Sequence, residues 1–205
     1  RALFVSRRAA EDAAEEIDGA GRFYVCSLHR KTLVYKGLLK GEQLAEYYPD
    51  LDDERLKTTL TLVHARFSTN TLGAWHLAHP YRRIIHNGEI NTIRGNINWM
   101  RARESQLEHE DFGDDMETLK PVTEAGQSDT ASVDNAIELL MHSDRDLPHI
   151  LRMLIPEAHE NDDSMDPDRQ DFYDYHASLV EPWDGPALVA ATDGDKIAAV
   201  LDRNG

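Results

Sequence analysis

The segment 64–104, HARFSTNTLGAWHLAHPYRRIIHNGEINTIRGNINWMRARE, constrains this chain more than any other part of it. Residues 58–63 just before it are β-branched and leucine-rich, and they read as a buried strand ending in His64-Ala65-Arg66. Arg66 then stands at a strand end, followed by a loop of Ser, Thr, Asn and Gly. A second short strand, 82–86, delivers His86-Asn87-Gly88 into a turn. A helix begins at Ile90, with Ile90, Ile93, Ile97, Met100 and Leu107 spaced for one buried face.

This arrangement suggests a chemistry. The Arg66 guanidinium is a planar fork that suits a carboxylate. Asn87 and Gly88 offer a carboxamide N–H and a main-chain N–H, the usual makings of an oxyanion hole. A molecule with a carboxylate at one end and an acyl carbon at the other, such as glutamine, fits between them. Each residue also has a plainer reading: Arg66 as a surface ion pair, Asn87-Gly88 as a tight turn.

The chain has 205 residues, 40% of them apolar, enough for one core in a single α/β or α+β domain. No stretch approaches the ~20 apolar residues needed to span a bilayer. Residues 1–8 have neither the apolar region nor the cleavage site of a signal sequence, so the expected location is cytoplasmic. The net charge of −16, from 38 acidic and 22 basic residues, argues against nucleic acid or an anionic membrane as partner. Cys26 is the one cysteine, which excludes an internal disulfide and any multi-cysteine metal site. His76 and His79, three apart beside Pro80, lack convincing ligand spacing, and no metal is expected.

Along the rest of the chain, residues 2–17 read as a helix stopped by Gly19 and Gly21. Residues 23–28 and 32–36 read as a hairpin, with Cys26 as a small core residue. Residues 42–48 suggest a short helix. The long loop 69–81 has the character of a lid, with Trp75 packing it. Ser128 or Asp129 caps a helix through Val133, Ala136, Ile137, Leu140 and Met141. Leu147, Ile150, Leu151, Leu154 and Ile155 mark another helix, and 170–180 a third. Residues 187–192 and 195–202 form a hairpin about Asp193-Gly194.

The strings RFSTNT, HNGEINT and RGNINWM, in this order, resemble the glutaminase domain of the glutamate synthase large subunit. That domain is a class II, N-terminal-nucleophile amidotransferase. The resemblance implies an α+β, Ntn-hydrolase-like fold, a four-layer αββα sandwich of two antiparallel sheets, here partial. It implies that Arg66 binds the glutamine carboxylate, Asp129 its ammonium, and Asn87 and Gly88 the oxyanion, with Thr69 and Asn70 near the ligand under a closing loop and Tyr35-Lys36-Gly37 close by. The ammonia would pass to synthase domains of the same polypeptide, absent here, for reductive amination of 2-oxoglutarate. FMN and an iron–sulfur cluster belong to those domains, with a small electron-donating subunit or a ferredoxin as partner. No cofactor is expected in this domain.

The family's nucleophile is an N-terminal cysteine whose own α-amine is the base. This sequence begins with Arg1, and Cys26 is internal. The expectation is therefore that 1–205 is the middle and later part of one such domain, truncated at both ends, and inactive alone. The alternatives are a non-catalytic glutamine-binding or interaction module, or another class II amidotransferase, against which GEINTIRGN argues.

Overall fold

The computed structural model describes residues 1–19, 21–67 and 73–202. In chain order the elements are α1 (Ala2–Glu15), α2 (Gln43–Tyr47), β1 (Ile84–Gly88), α3 (Ile93–Glu104), α4 (Asp129–Leu140), α5 (Leu147–Leu154), α6 (Pro167–Ala177), β2 (Ala187–Thr192) and β3 (Ile197–Leu201), with 3₁₀ turns at Pro49–Asp52, Trp75–Leu77 and Gly113–Leu119.

α4 is the centre of the fold. Ser128 is its N-cap, the hydroxyl accepting from the Ala131 N–H at 3.1 Å, and every residue from Thr130 to Glu138 is buried. Val133, Ala136 and Ile137 join Ile84, Val189 and Ala191 of the sheet, Trp183, and Ile150, Leu151 and Leu154 of α5 in one core. α5 starts at Asp146, whose carboxylate accepts from the His149 N–H at 3.1 Å, with Pro148 in its first turn. Its Leu147, Ile150, Leu151 and Leu154 are all at most 1% exposed. Each such burial contributes about 1.5–3 kcal/mol.

The polar face of α4 is also buried. Asp134, fully inaccessible, accepts main-chain N–H bonds from Arg82 (3.1 Å), Arg83 (2.9 Å) and Ile84 (3.2 Å), which fixes the entry into β1. Burial raises its carboxyl above the usual range, followed by the nearby Glu138 charge. α1 docks through charge: Arg7 pairs with Glu11 and Glu138, and Arg82 reaches Glu11 at 2.7 Å, all buried. With every partner present, such a network is sustainable; removing one leaves an uncompensated charge.

The sheet is antiparallel with order β1–β2–β3. Ile84, His86, Val189 and Ala191 face the helices, while Asn87, Leu188, Ile197 and Leu201 face the other way and are exposed. The β2–β3 hairpin turns at Asp193-Gly194 as expected, with Gly194 at φ +90°.

Three expected strands are absent among the described residues: 23–28, 32–36 and 58–63 join no ladder. Side chains take their backbone groups instead. The Val25 N–H goes to Glu11 (3.0 Å) and the Val25 carbonyl takes Arg82 Nε (3.1 Å). The Leu60 N–H goes to Thr58 Oγ1 at 3.2 Å, and Val63 is 74% exposed. The expected turn at Asn87-Gly88 is also corrected. Both residues continue β1, pairing with Leu188 and Ala187, because the long-range partner β2 extends the ladder past His86.

Candidate functional site

β1 is an edge strand, and the alternation of its hydrogen bonds decides which groups are free. The Glu89 N–H bonds to the Pro186 carbonyl (3.1 Å) and the Thr192 N–H to the Arg83 carbonyl (3.0 Å), so odd-numbered residues of β1 carry the ladder to β2. Even-numbered residues therefore turn their N–H and carbonyl to the outer edge. The Ile84 N–H goes there to Asp134, the His86 carbonyl meets His64 Nε2 at 2.9 Å, and the Ile90 N–H meets Asp129 Oδ2 at 2.9 Å. Between the last two lies Gly88, whose N–H faces the same edge and has no main-chain acceptor outside the ladder among the described residues. Adjacent same-side groups on a strand lie about 7 Å apart.

Gly88 is glycine for a packing reason as well. Its φ is +133°, and a Cβ would sit 1.9 Å from the Pro186 carbonyl oxygen. Asn87 is exposed, and its side-chain amide has no partner among the described residues. One carboxamide and one main-chain amide thus stand free at the end of β1.

Asp129 is the first residue of α4 rather than its cap, which is Ser128. Its Oδ1 accepts from the Thr130 N–H (2.7 Å) and hydroxyl (3.1 Å), and Oδ2 accepts from Ile90. A carboxylate has about four lone-pair sites. Three are filled, and one on Oδ2 is left for a further donor. The Thr130 hydroxyl, already donating to Asp129, accepts from His86 Nδ1 at 2.9 Å, so His86 carries a proton on Nδ1. Its Nε2 is buried without a partner, and burial, opposed by Asp129, depresses its pKa.

Arg66 is exposed and makes no ion pair among the described residues. Its main chain is tied to β1 through His64, whose Nδ1 lies 2.6 Å from the Arg66 carbonyl. His79 stacks on His64 with centroids 4.0 Å apart. Burial pushes His79 down to about 3, with His64, His86 and Lys36 nearby acting in the same direction. Lys36, 3% exposed, donates to the carbonyls of Ala78 (2.7 Å) and Trp75 (3.1 Å) and so holds the 75–78 turn. Burial lowers its amine to about 8. Trp75 meets Phe67 edge to face at 6.0 Å but is 48% exposed, so it half-covers the turn. Thr69 and Asn70 lie outside the described residues.

The rest of the HNGEINTIRGN string seats one remote segment. The Asn91 N–H bonds to the Asp184 carbonyl (2.7 Å), the Thr92 hydroxyl donates to Asn96 (2.7 Å), and Asn96 Nδ2 donates to the Pro182 carbonyl (3.0 Å). A Cβ on Gly185 would lie 2.0 Å from the Glu89 carbonyl oxygen. These residues build the wall behind Gly88. Sequence reasoning brought Arg66, Asn87, Gly88 and Asp129 forward but missed His64, Thr130 and the roles of Thr92 and Asn96. The only signal for His64 was its place two residues before Arg66.

Comparison with known proteins shows the family of the chain. The profile of the class-II glutamine amidotransferases matches residues 1–205. Among relatives, the glutamate synthase [NADPH] large chain of Bacillus subtilis is 49% identical over all of this chain and 13% of its own length. The glutamate synthase [NADH] of Saccharomyces cerevisiae is 48% identical over 95% of this chain and 9% of its own. The ferredoxin-dependent glutamate synthase 2 of Arabidopsis thaliana is 44% identical over all of this chain and 13% of its own. The chain thus spans 9–13% of the length of these relatives. It belongs to the class II glutamine amidotransferases.

Proposed function

We propose that this chain forms the glutamine site of a glutamate synthase. The site releases ammonia and glutamate, and the ammonia passes to a synthase domain of the same polypeptide for reductive amination of 2-oxoglutarate. The observation that carries the reading is the outer edge of β1, where the Gly88 N–H stands free between the His64 tether and Asp129. Arg66 takes the substrate carboxylate, and Asp129 takes the ammonium on its remaining lone pair. The Gly88 N–H and Asn87 Nδ2 hold the amide oxygen as it becomes an oxyanion, where donors fixed in advance stabilise the developing charge. The thiol that attacks the amide carbon is not among these residues, because Cys26 has no free α-amine.

We also assign the domain to the four-layer sandwich of two antiparallel sheets. The support is the sheet face bearing Leu188, Ile197 and Leu201, which are 45%, 53% and 51% exposed. A face this apolar is suited to a second sheet. The reading also implies FMN and an iron–sulfur cluster, and the single cysteine of this chain cannot supply a cluster's four thiolates. In this reading both belong to other parts of the polypeptide. The electron donor is a ferredoxin or a small electron-donating subunit.

Asn87→Ala in the natural full-length polypeptide tests the reading. Loss of one oxyanion donor lowers kcat for glutamine hydrolysis roughly 100- to 1000-fold, with KM little changed. An unaltered kcat removes Asn87 from the site.

A further inference from the structure

Asn87 and Gly88 can also react with each other. Asn87 is exposed and its carboxamide has no partner among the described residues, and the Gly88 N–H has no main-chain acceptor there either. The main-chain nitrogen that follows an asparagine lies within reach of that asparagine's own side-chain carbon, Cγ. Glycine at the second position puts no Cβ in the way and leaves the backbone free to turn. Among the described residues Asn87 alone is followed by glycine; Asn91, Asn96, Asn98, Asn135 and Asn161 precede Thr, Ile, Trp, Ala and Asp.

We infer that Asn87 is a site of spontaneous deamidation, and that the seam between the end of β1 and residues 182–188 gates it. The Gly88 nitrogen gives its proton to hydroxide and attacks Asn87 Cγ. The N–Cγ bond forms, the Cγ–Nδ2 bond breaks, and ammonia leaves with a proton drawn from water. The cyclic imide then takes up water at either of its carbonyl carbons, giving aspartate or isoaspartate at 87. Both reacting groups are the oxyanion donors of the proposed site, so the product carries a carboxylate where negative charge develops on the substrate. This effect on activity rests on the glutamine reading above; the modification does not.

The fold holds the two groups out of line for this reaction. Ring closure swings the Gly88 nitrogen toward Cγ and so rotates the Asn87 carbonyl with it. That carbonyl belongs to the ladder, because Asn87 pairs with Leu188 and the odd-numbered residues of β1 carry the bonds to β2. Just beyond, the Glu89 N–H is bonded to the Pro186 carbonyl (3.1 Å), and the Asn91 and Thr92 N–H groups to the Asp184 carbonyl (2.7 and 3.3 Å). The Asp184 N–H donates back to Thr92 Oγ1 at 2.9 Å, so the two segments are laced in both directions. Deamidation therefore proceeds from a locally opened state, in which the end of β1 has parted from β2.

The test follows aspartate and isoaspartate at position 87 by peptide mapping of the natural full-length polypeptide, kept in mildly alkaline buffer either native or in denaturant, with kcat for glutamine hydrolysis measured alongside. Asn87 converts in the native protein while Asn91, on the same tryptic fragment 84–94, does not. Native conversion is at least about tenfold slower than conversion in denaturant. Asn96→Leu, which loosens the bonds to Pro182 and Thr92, speeds it at least about fivefold. Each converted molecule loses roughly 100- to 1000-fold in kcat, and bound L-glutamate, with an oxygen on both donors, slows the conversion. A native polypeptide in which Asn87 converts no faster than Asn91 overturns the modification site. Equal rates in native and denatured protein overturn the gate, whatever Asn96→Leu does. Full kcat in the converted enzyme, with no protection by L-glutamate, leaves the modification standing and fails the glutamine reading instead.

Discussion

Lys36→Met examines how the 75–78 turn is held. The Lys36 amine is held at about 8 against 10.5 for a free side chain. Burial therefore costs the charged form about 3 kcal/mol. Against this stand two charge-assisted bonds, to Ala78 and Trp75. Each contributes about 1.5–3 kcal/mol. The two bonds match or exceed that cost, so Lys36→Met changes local stability at neutral pH by up to about 3 kcal/mol, and that measurement alone decides little. The pH dependence decides. Between about 8 and 10.5 the opened segment carries a proton that the closed one lacks. Stability rises with pH wherever the open state binds more protons. Below about 8 both states are protonated and the full cost is present; above 10.5 it is gone. Hydrogen exchange across residues 73–81, corrected for the intrinsic chemical rate, should show protection growing by up to about 3 kcal/mol over this window in wild type and not in Lys36→Met. The same growth in both proteins would refute the buried-ammonium account.

Three further outcomes follow from the geometry. Gly88→Ala places a Cβ 1.9 Å from the Pro186 carbonyl, so β1 must separate from the 184–186 segment; hydrogen exchange at Glu89 and Asn91 should rise, and kcat should fall by at least about 100-fold. Asp134→Ala leaves three buried N–H groups without an acceptor; after the recovered cost of burying a carboxylate, the loss is about 2–4 kcal/mol, read as a lower unfolding midpoint. Asn96→Leu breaks the seam to Pro182 and Thr92, costing about 1–3 kcal/mol locally, seen as protease sensitivity near 181–186.

Much of the helical frame was legible in the sequence. The spacing of Val133, Ala136 and Ile137, and of Leu147, Ile150, Leu151 and Leu154, directly encodes the buried faces of α4 and α5. Asp193-Gly194 announced the β2–β3 hairpin. β-Branched composition misled at 58–63, because a strand is defined by a partner, and local side-chain bonding at Thr58 took that role. β1 was placed two residues early for the same reason: its ladder ends where β2 begins, at Ala187, far along the chain. Asp129 was legible as a helix-start acid, but its tie to Ile90 was not. Lys36 and His64 gave no periodic signal, since each acts on main-chain carbonyls that only the folded chain brings within reach.

The central claim is that the outer edge of β1 binds an amino-acid amide between Asp129, Arg66 and Gly88. A crystal structure of the natural full-length polypeptide with L-glutamate bound tests it most directly. The account predicts the ammonium on Asp129 Oδ2, the α-carboxylate on Arg66 and a side-chain oxygen against the Gly88 N–H and the Asn87 amide. Glutamate bound elsewhere, or the Gly88 N–H turned into the β1–β2 ladder, would contradict it.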